Sequence, residues 1–449
     1  MRTGFVSFIA PAYTKDTVEL LKKVVEAARN TMASIGIKET AEAGPVIELS
    51  DVDPAASALK RGDFDFLTAL LPSWAEPPMI VNTLINFRNR PILLWALSSL
   101  DEKGVLIAPA GAAAMSAVMQ PLKTMGFNIK VVFGNPDSGN AQNEIAKFAK
   151  ACEAARKLSQ SRVGIFGYAD MGSYTAGFDQ TSLRSKVGPE VEDYEVHRLL
   201  LKAEEMPDEE ADRFVKEQFG SWDVDKQVAR EDLQKATKIF LALKKIIDER
   251  RFSAVSMKCV YGLPIYHGIT PCIPLALAGA EVPVVCECDV LGLVTELMLD
   301  YISGQRSVYL EFYDILEDRV LMGVCGMIPQ QALENTPRLY KYAWGKLTGL
   351  MTVGSMRTGK VTLARLASVG DQYKLHVVVA EAEKPRVWHE IGWQLEAPVY
   401  PSLEIVLGNR TREFMGKILA QHYHIIYGDY SKELTELCRV LGIEIEITY

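Results

Sequence analysis

Glu287 and Asp289 stand two residues apart in Glu281-Val-Pro-Val-Val-Cys-Glu287-Cys-Asp289-Val-Leu-Gly292, where an apolar run passes from strand-like to helix-like character. Ligand sites of open α/β sheets lie beyond the carboxyl ends of strands. If the strand continues this far, its period of two puts both carboxylates on one side, able to share a metal ion or a substrate. The same spacing suits a second role, with Asp289 as helix N-cap and Glu287 a neighbour without function. His422-Tyr-His424, within Gln421-His-Tyr-His-Ile-Ile-Tyr427-Gly428-Asp429, sets two imidazoles on one face of a strand. That spacing fits a metal-binding pair or a structural one.

Other motifs fail on inspection. Gly354-Ser-Met-Arg-Thr-Gly359-Lys360 mimics a phosphate-binding loop, but Val361 replaces the hydroxyl residue that must hold magnesium, and alternation follows where a helix should open. His389-Glu390 begins like a zinc-protease helix, yet Trp393 stands where the second histidine belongs. Cys286 and Cys288, with Cys259, Cys272 and Cys325, include no Cys-x-x-Cys pair, so they read as buried small hydrophobes.

These residues need a scaffold, and the chain's periodicity supplies one. Apolar runs at Gly4 to Ile9, Val46 to Leu49, Phe64 to Leu71, Pro91 to Ala96, Val105 to Ala108 and Ile129 to Val132 alternate with amphipathic stretches or long connections. This predicts βαβ units around a parallel sheet. A helix over Asn143 to Leu158 leads to a new strand at Arg162 to Tyr168, starting a second α/β unit. There, strands are predicted at Phe252 to Cys259 and Val282 to Glu287, and helices at Glu231 to Arg250 and Val290 to Ser303, the last capped by Gly304. The acidic stretch between Lys186 and Asp232 reads as solvated helical surface. After Trp344, short alternating runs at Gly359 to Leu366, Lys374 to Ala380 and Leu403 to Leu407 suit an antiparallel sheet or small barrel, with a helix at Ser431 to Leu441. The expected organisation is α/β: residues 1–160, residues 161–345 carrying the acidic site residues, and a β-rich region, residues 346–449, carrying His422.

Composition narrows the function. With 449 residues the chain holds several cores and needs no disulfides. The balance of 49 basic and 57 acidic residues, without a dense Lys/Arg block, argues against nucleic acid as a partner. No apolar run reaches the roughly 18 to 20 residues of a membrane span, and Met1 to Ala10 lacks the parts of a signal peptide. An odd count of seven cysteines fits reduced thiols, so a cytoplasmic location is expected.

At five stretches in order the chain resembles the L-fucose/L-arabinose isomerase superfamily. They are Arg162-Val-Gly-Ile-Phe-Gly-Tyr168 with Met171-Gly-Ser-Tyr174 and Asp179; Lys258-Cys259; Gly279 through Gly292; Cys325-Gly326; and Gln421 through Asp429. Ser73-Trp74 and Pro91-Ile-Leu-Leu-Trp95 match more loosely. The resemblance implies two Rossmann-like parallel α/β domains and a smaller antiparallel β-rich carboxy-terminal domain, assembled as a homotrimer or homohexamer with sites at subunit interfaces. It implies aldose–ketose isomerisation with a divalent metal, usually manganese. Asp289 becomes a metal ligand and proton-transfer group, His422 a metal ligand, and Trp74 an aromatic that stacks on the sugar in a neighbour's pocket. Tyr427, five residues after His422, joins the substrate-binding set.

Two departures bear on the ligand set. Gly262 replaces the glutamate of the family's Lys-Cys-Trp-Pro-Glu, and Val324 replaces the histidine of its His-Cys-Gly. Glu287, as a metal ligand, and His267, as a substrate-binding group, are the compensating residues expected here. The leading reading is therefore a metal-dependent isomerase of a pentose, deoxyhexose or modified sugar acting through an enediol. A catalytically silent sugar-binding relative stands as an alternative, as does a lyase or epimerase working through Lys258 or His267.

Overall fold

The computed structural model describes residues 1–102, 104–324, 326–344, 347–386 and 402–449, which divide into two compact units, Met1–Arg156 and Lys157–Tyr449. In the first, five parallel strands lie in the order Lys38–Val46, Arg2–Phe8, Phe66–Leu71, Ile92–Ala96, Ile129–Phe133. Numbered along the chain this is 2-1-3-4-5, a doubly wound sheet. Phe66–Leu71 and Ile92–Ala96 are buried throughout, so only near-continuous apolar runs can occupy those places.

Two sequence expectations are corrected here. The second strand is Lys38–Val46 and not the apolar run at Val46 to Leu49, because an edge position tolerates a polar, half-exposed strand. Val105–Ile107 pairs with Leu100–Glu102 in a hairpin outside the parallel sheet.

The second unit repeats the plan. Its parallel sheet runs Val284–Cys286, Ala254–Met257, Arg162–Phe166, Glu190–Tyr194, which numbered along the chain and read from the other edge is 2-1-3-4. Helix Arg230–Arg250 turns Leu233, Ala236, Phe240, Leu243 and Ile247 inward at the three- and four-residue spacing of one face. The acidic stretch folds as strand Glu190–Tyr194 and helices Val196–Glu204 and Asp208–Phe219, which bury mainly Leu199, Ala203, Ala211 and Phe219. Helix Val290–Ser303 is almost wholly buried and ends at Gly304, whose φ of 71° is the left-handed cap the sequence predicts.

Six antiparallel strands then close into a barrel in the order Gly359–Val369, His422–Tyr427, Val308–Ile315, Arg319–Gly323, Ser402–Val406, Gln372–Glu383, the last pairing back to the first. Glu444–Thr448 adds parallel to Gln372–Glu383. A small sheet of Asp223–Val224, Arg338–Trp344 and Leu347–Val353 completes the unit's strands among the described residues. The fold is thus mixed α/β, with two parallel sheets and a separate β-rich part. Among the described residues, no helix is long and apolar enough to cross a membrane.

Candidate functional site

The strand Val284–Cys286 stops short of Glu287, because Glu287 and Cys288 both adopt left-handed backbone, φ 63° and 54°. The strand expected over Val282 to Glu287 therefore ends at Cys286, and the condition that it continue as far as Asp289 is not met. Each such residue costs roughly 1–2 kcal/mol without glycine's freedom, so surrounding contacts must hold the turn. One is Asp170, whose backbone N–H donates to the Glu287 carbonyl at 3.0 Å. Beyond the turn, Asp289 caps helix Val290–Ser303 by accepting from the Gly292 N–H at 2.9 Å.

Asp289 does more than cap. The fully buried Arg365, on strand Gly359–Val369, clamps it with both terminal nitrogens, Nη1 to Oδ2 and Nη2 to Oδ1, the latter at 2.9 Å. Tyr309 donates its hydroxyl to Oδ2 at 2.8 Å. Each carboxylate oxygen thus receives two donors, close to its full capacity. Burial works against the charge, but the guanidinium outweighs it and holds the Asp289 carboxyl below its usual range.

The Tyr309 ring stacks on His422, centroids 4.2 Å apart, and leans on His424, so both imidazoles share a strand face as the spacing predicts. His424 is tied through Nδ1 to the Ser307 hydroxyl at 2.7 Å, a structural arrangement. His422 Nε2 instead lies 3.9 Å from Glu287 Oε1 and 3.8 Å from Glu311 Oε2. Glu311 faces His422 in register across strands Val308–Ile315 and His422–Tyr427. Burial, then the charges of Glu311, Asp289 and Asp170, pushes Glu287 up to about 8, and burial raises Glu311 too. Burial lowers His422 to about 4. Burial thus favours the neutral forms of the imidazole and of both carboxyls.

Lys258 and Asp170 meet where the strand order reverses, beyond the ends of Arg162–Phe166 and Ala254–Met257. Lys258 Nζ donates to Asp170 Oδ1 at 3.0 Å and sits 3.8 Å from the centre of the Tyr168 ring. The backbone N–H groups of Cys259, Val260 and Tyr261 also point at the Asp170 carboxylate. Burial works to lower the Lys258 pKa, but the hydrogen bond and charge of Asp170 outweigh it and raise the pKa. Lys258, Tyr168, Tyr194, Tyr261, Gly262 and His267 are among the residues lining a cavity of about 530 Å³. A side chain at Gly262 would meet nothing nearer than the Lys258 Cδ at 3.7 Å, so the missing glutamate leaves open room there.

Not every expected residue joins these groups. Tyr427, an odd number of residues from His422, faces the other side of its strand and donates its hydroxyl to the Arg357 carbonyl at 2.8 Å. Trp74 belongs to the first unit, where it packs half-buried against that unit's core. Cys325 and the His389-Glu390 motif with Trp393 lie outside the described residues. Conversely, Glu311, Arg365, Tyr309 and Asp170 went unread in the sequence. Arg365 had a signal, since it is a lone charge inside the apolar run from Val361 to Ala367.

Two donor sets converge on Glu287. Ligand atoms of Cys259, Cys286 and Glu287 lie within 4.8 Å of one another, a thiol-rich set suited to soft ions. Glu287, Glu311 and His422 offer the oxygen and nitrogen donors that manganese prefers. Their 3.9 and 3.8 Å separations from His422 Nε2 suit bonds of roughly 2 Å to one ion. The trio's ligand atoms do not all lie within 4.8 Å of one another, so an ion shared by all three requires the Glu287 and Glu311 carboxyls to draw closer, and Asp289 is already saturated by its four donors.

The chain is similar to curated sulfoquinovose isomerases. It is 23% identical over 373 residues to that of Alkalicoccus urumqiensis, spanning 79% of this chain and 80% of the relative. Those of Priestia aryabhattai and Priestia megaterium are each 21% identical over 416 residues, spanning 90% of both chains. A solute-binding protein from Agrobacterium vitis solved with alpha-D-tagatopyranose aligns at 12% identity over 78% of this chain and 94% of that one. Its TM-score of 0.16 is too slight to carry an argument. No protein-family model matches the chain.

Proposed function

We propose that this chain is a sugar isomerase of the fucose/arabinose isomerase kind, interconverting the aldose and ketose forms of an acid-bearing sugar such as sulfoquinovose. The observation that carries the reading is the meeting of Glu287, buried beyond the end of a parallel strand, with the buried His422 and the partly exposed Glu311 of two barrel strands, in a chain whose curated relatives are sugar isomerases.

The reaction moves one proton from C2 to C1 while a hydroxyl proton passes between O1 and O2, so it needs an acid and a base at adjacent carbons. Burial raises both Glu287 and Glu311, which makes either carboxylate, once ionised, a stronger base towards a sugar proton than an ordinary carboxylate. A divalent ion held by Glu287, Glu311 and His422 would polarise the two sugar oxygens and ionise the carboxyls beside it. Tyr309 keeps the His422 ring in place by stacking, and His422 Nε2 stays neutral and available. Lys258, Tyr168 and His267, together with the carboxylates of Asp193 and Glu195, line the cavity beside Asp170 and offer it a cation, an aromatic ring and polar groups for sugar hydroxyls.

A lyase or epimerase working through Lys258 is less well supported. Its ammonium is held charged by Asp170, the reverse of what a basic or nucleophilic lysine needs. The test is turnover of sulfoquinovose and free aldoses by purified protein with and without Mn²⁺. Aldose–ketose conversion is expected, with Glu287→Gln lowering kcat by about 10²- to 10⁴-fold. Absence of conversion under every condition, or an unimpaired Glu287→Gln enzyme, rules the reading out.

A further inference from the structure

We propose that Cys259, Cys286 and Glu287 form a site for a thiophilic dication of the Zn²⁺ or Cd²⁺ class, separate in its sulfur donors from the oxygen and nitrogen set around His422.

The site is built where two neighbouring strands end. Strands Ala254–Met257 and Val284–Cys286 pair in parallel with Met257 opposite Cys286, so Cys259 lies just past the end of one and Cys286 at the end of the other. Their thiols are in hydrogen-bonding contact. An extended chain would send Glu287 to the face opposite Cys286. The left-handed backbone at Glu287, φ 63°, instead turns its carboxylate back to the two thiols. The three ligand atoms all lie within 4.8 Å of one another, near enough for bonds of roughly 2.0–2.3 Å to one ion after small side-chain rotations.

Asp170 ties together the two turns that carry these ligands. Its carboxylate accepts from the Cys259 N–H at 2.9 Å, and its own N–H donates to the Glu287 carbonyl at 3.0 Å. Ligands oriented in advance by such outer contacts are what a metal site needs. Cys259, Cys286 and Glu287 are 6%, 5% and 6% exposed, so little water competes for the ion. Two sulfur donors select Zn²⁺ or Cd²⁺ over Mn²⁺, because soft ligands prefer soft ions. Each thiol releases its proton to solvent as the ion binds. An ion held there engages Glu287, so a thiophilic metal and sugar chemistry compete for one carboxylate; that consequence rests on the proposed function, while the site itself does not.

The probe is Cd²⁺, added to the reduced, metal-free full chain, with the ultraviolet thiolate-to-cadmium charge-transfer band as readout and circular dichroism as the check on folding. No sugar, Mn²⁺ or turnover enters the measurement, so failure of the isomerase reading and failure of this one are separately visible. Wild-type protein is expected to develop the band, and Cys259→Ala/Cys286→Ala to lose it. Cys152→Ala/Cys438→Ala, whose cysteines lie on helices Gly139–Gln160 and Ser431–Leu441, should keep it. Glu287→Gln should keep the band but bind Cd²⁺ about tenfold or more weakly. If the Cys259→Ala/Cys286→Ala chain does not fold, Cys259→Ala alone decides, with binding weakened about tenfold or more. A wild-type chain without the band, a band kept in folded Cys259→Ala/Cys286→Ala, a band lost in Cys152→Ala/Cys438→Ala, or an unweakened Glu287→Gln or Cys259→Ala each overturns the proposal.

Discussion

The two parallel sheets share a winding order, and both carry ion pairs where strands begin, yet only the second buries charge just beyond its strand ends. In the first unit, ion pairs gather where strands begin: Arg2 opens one strand and Asp65 precedes another, joined by Asp63 and Arg156. Its strands finish in Phe8, Leu71, Ala96 and Phe133, with no ionisable group. In the second unit the strand ends run into Lys258, Glu287 and Asp289, all buried. The same winding therefore yields a scaffold in one case and a chemical centre in the other, and the difference lies in the few residues after each strand.

Cutting the second unit's buried clamp should have the largest effect on stability. Asp289→Ala strands a guanidinium away from water, and a loss of about 3–5 kcal/mol in denaturant unfolding is expected; a loss under 1 kcal/mol would erase the contrast between the units. Next comes acid sensitivity, which should belong to the second unit, because the first contains no histidine. His376 is fully buried between the Tyr423 and Thr448 hydroxyls, and burial lowers it from 6.5 to about 4. Its folded pKa is below the unfolded one, so its contribution is intact above pH 6.5 and is lost as pH falls towards 4. Melting temperatures between pH 7 and pH 5 should fall less for His376→Gln, by a difference of about 1–2 kcal/mol. An equal fall would show that His376 is not a source of this sensitivity. The smallest effect should follow Asp63→Ala in the first unit. That side chain is 66% exposed, so under about 1 kcal/mol is expected from its ion pairs. A larger loss in a thermal melt would mean the first unit also depends on its charges.

Much of the frame was legible in the sequence. Helix Val290–Ser303, its glycine cap and its Asp289 N-cap follow from local rules, as does helix Ser431–Leu441. Strands hidden from both sides, such as Phe66–Leu71, announce themselves as apolar runs. The edge strand Lys38–Val46 does not, because solvent satisfies its polar residues. Strands Val308–Ile315 and Arg319–Gly323 also went unread, the first because charged and apolar residues mix where it turns outward, the second because it is only five residues long and opens on a buried arginine. At the site, Glu287, Asp289 and His422 were found from type and spacing. Their partners were not: Arg365 lies 76 residues beyond Asp289, and only the barrel's closure brings the two together. The left-handed pair Glu287-Cys288 carries no glycine to betray it. That turn was hidden for a local reason, the clamp for a topological one.

The strand His422–Tyr427 comes almost last in the chain yet lies inside the barrel, between Gly359–Val369 and Val308–Ile315. A nascent chain still lacking it has two neighbouring strands with unmatched backbone and no imidazole opposite Glu311. The Glu311–His422 pairing therefore forms only once His422–Tyr427 has inserted between its two barrel neighbours.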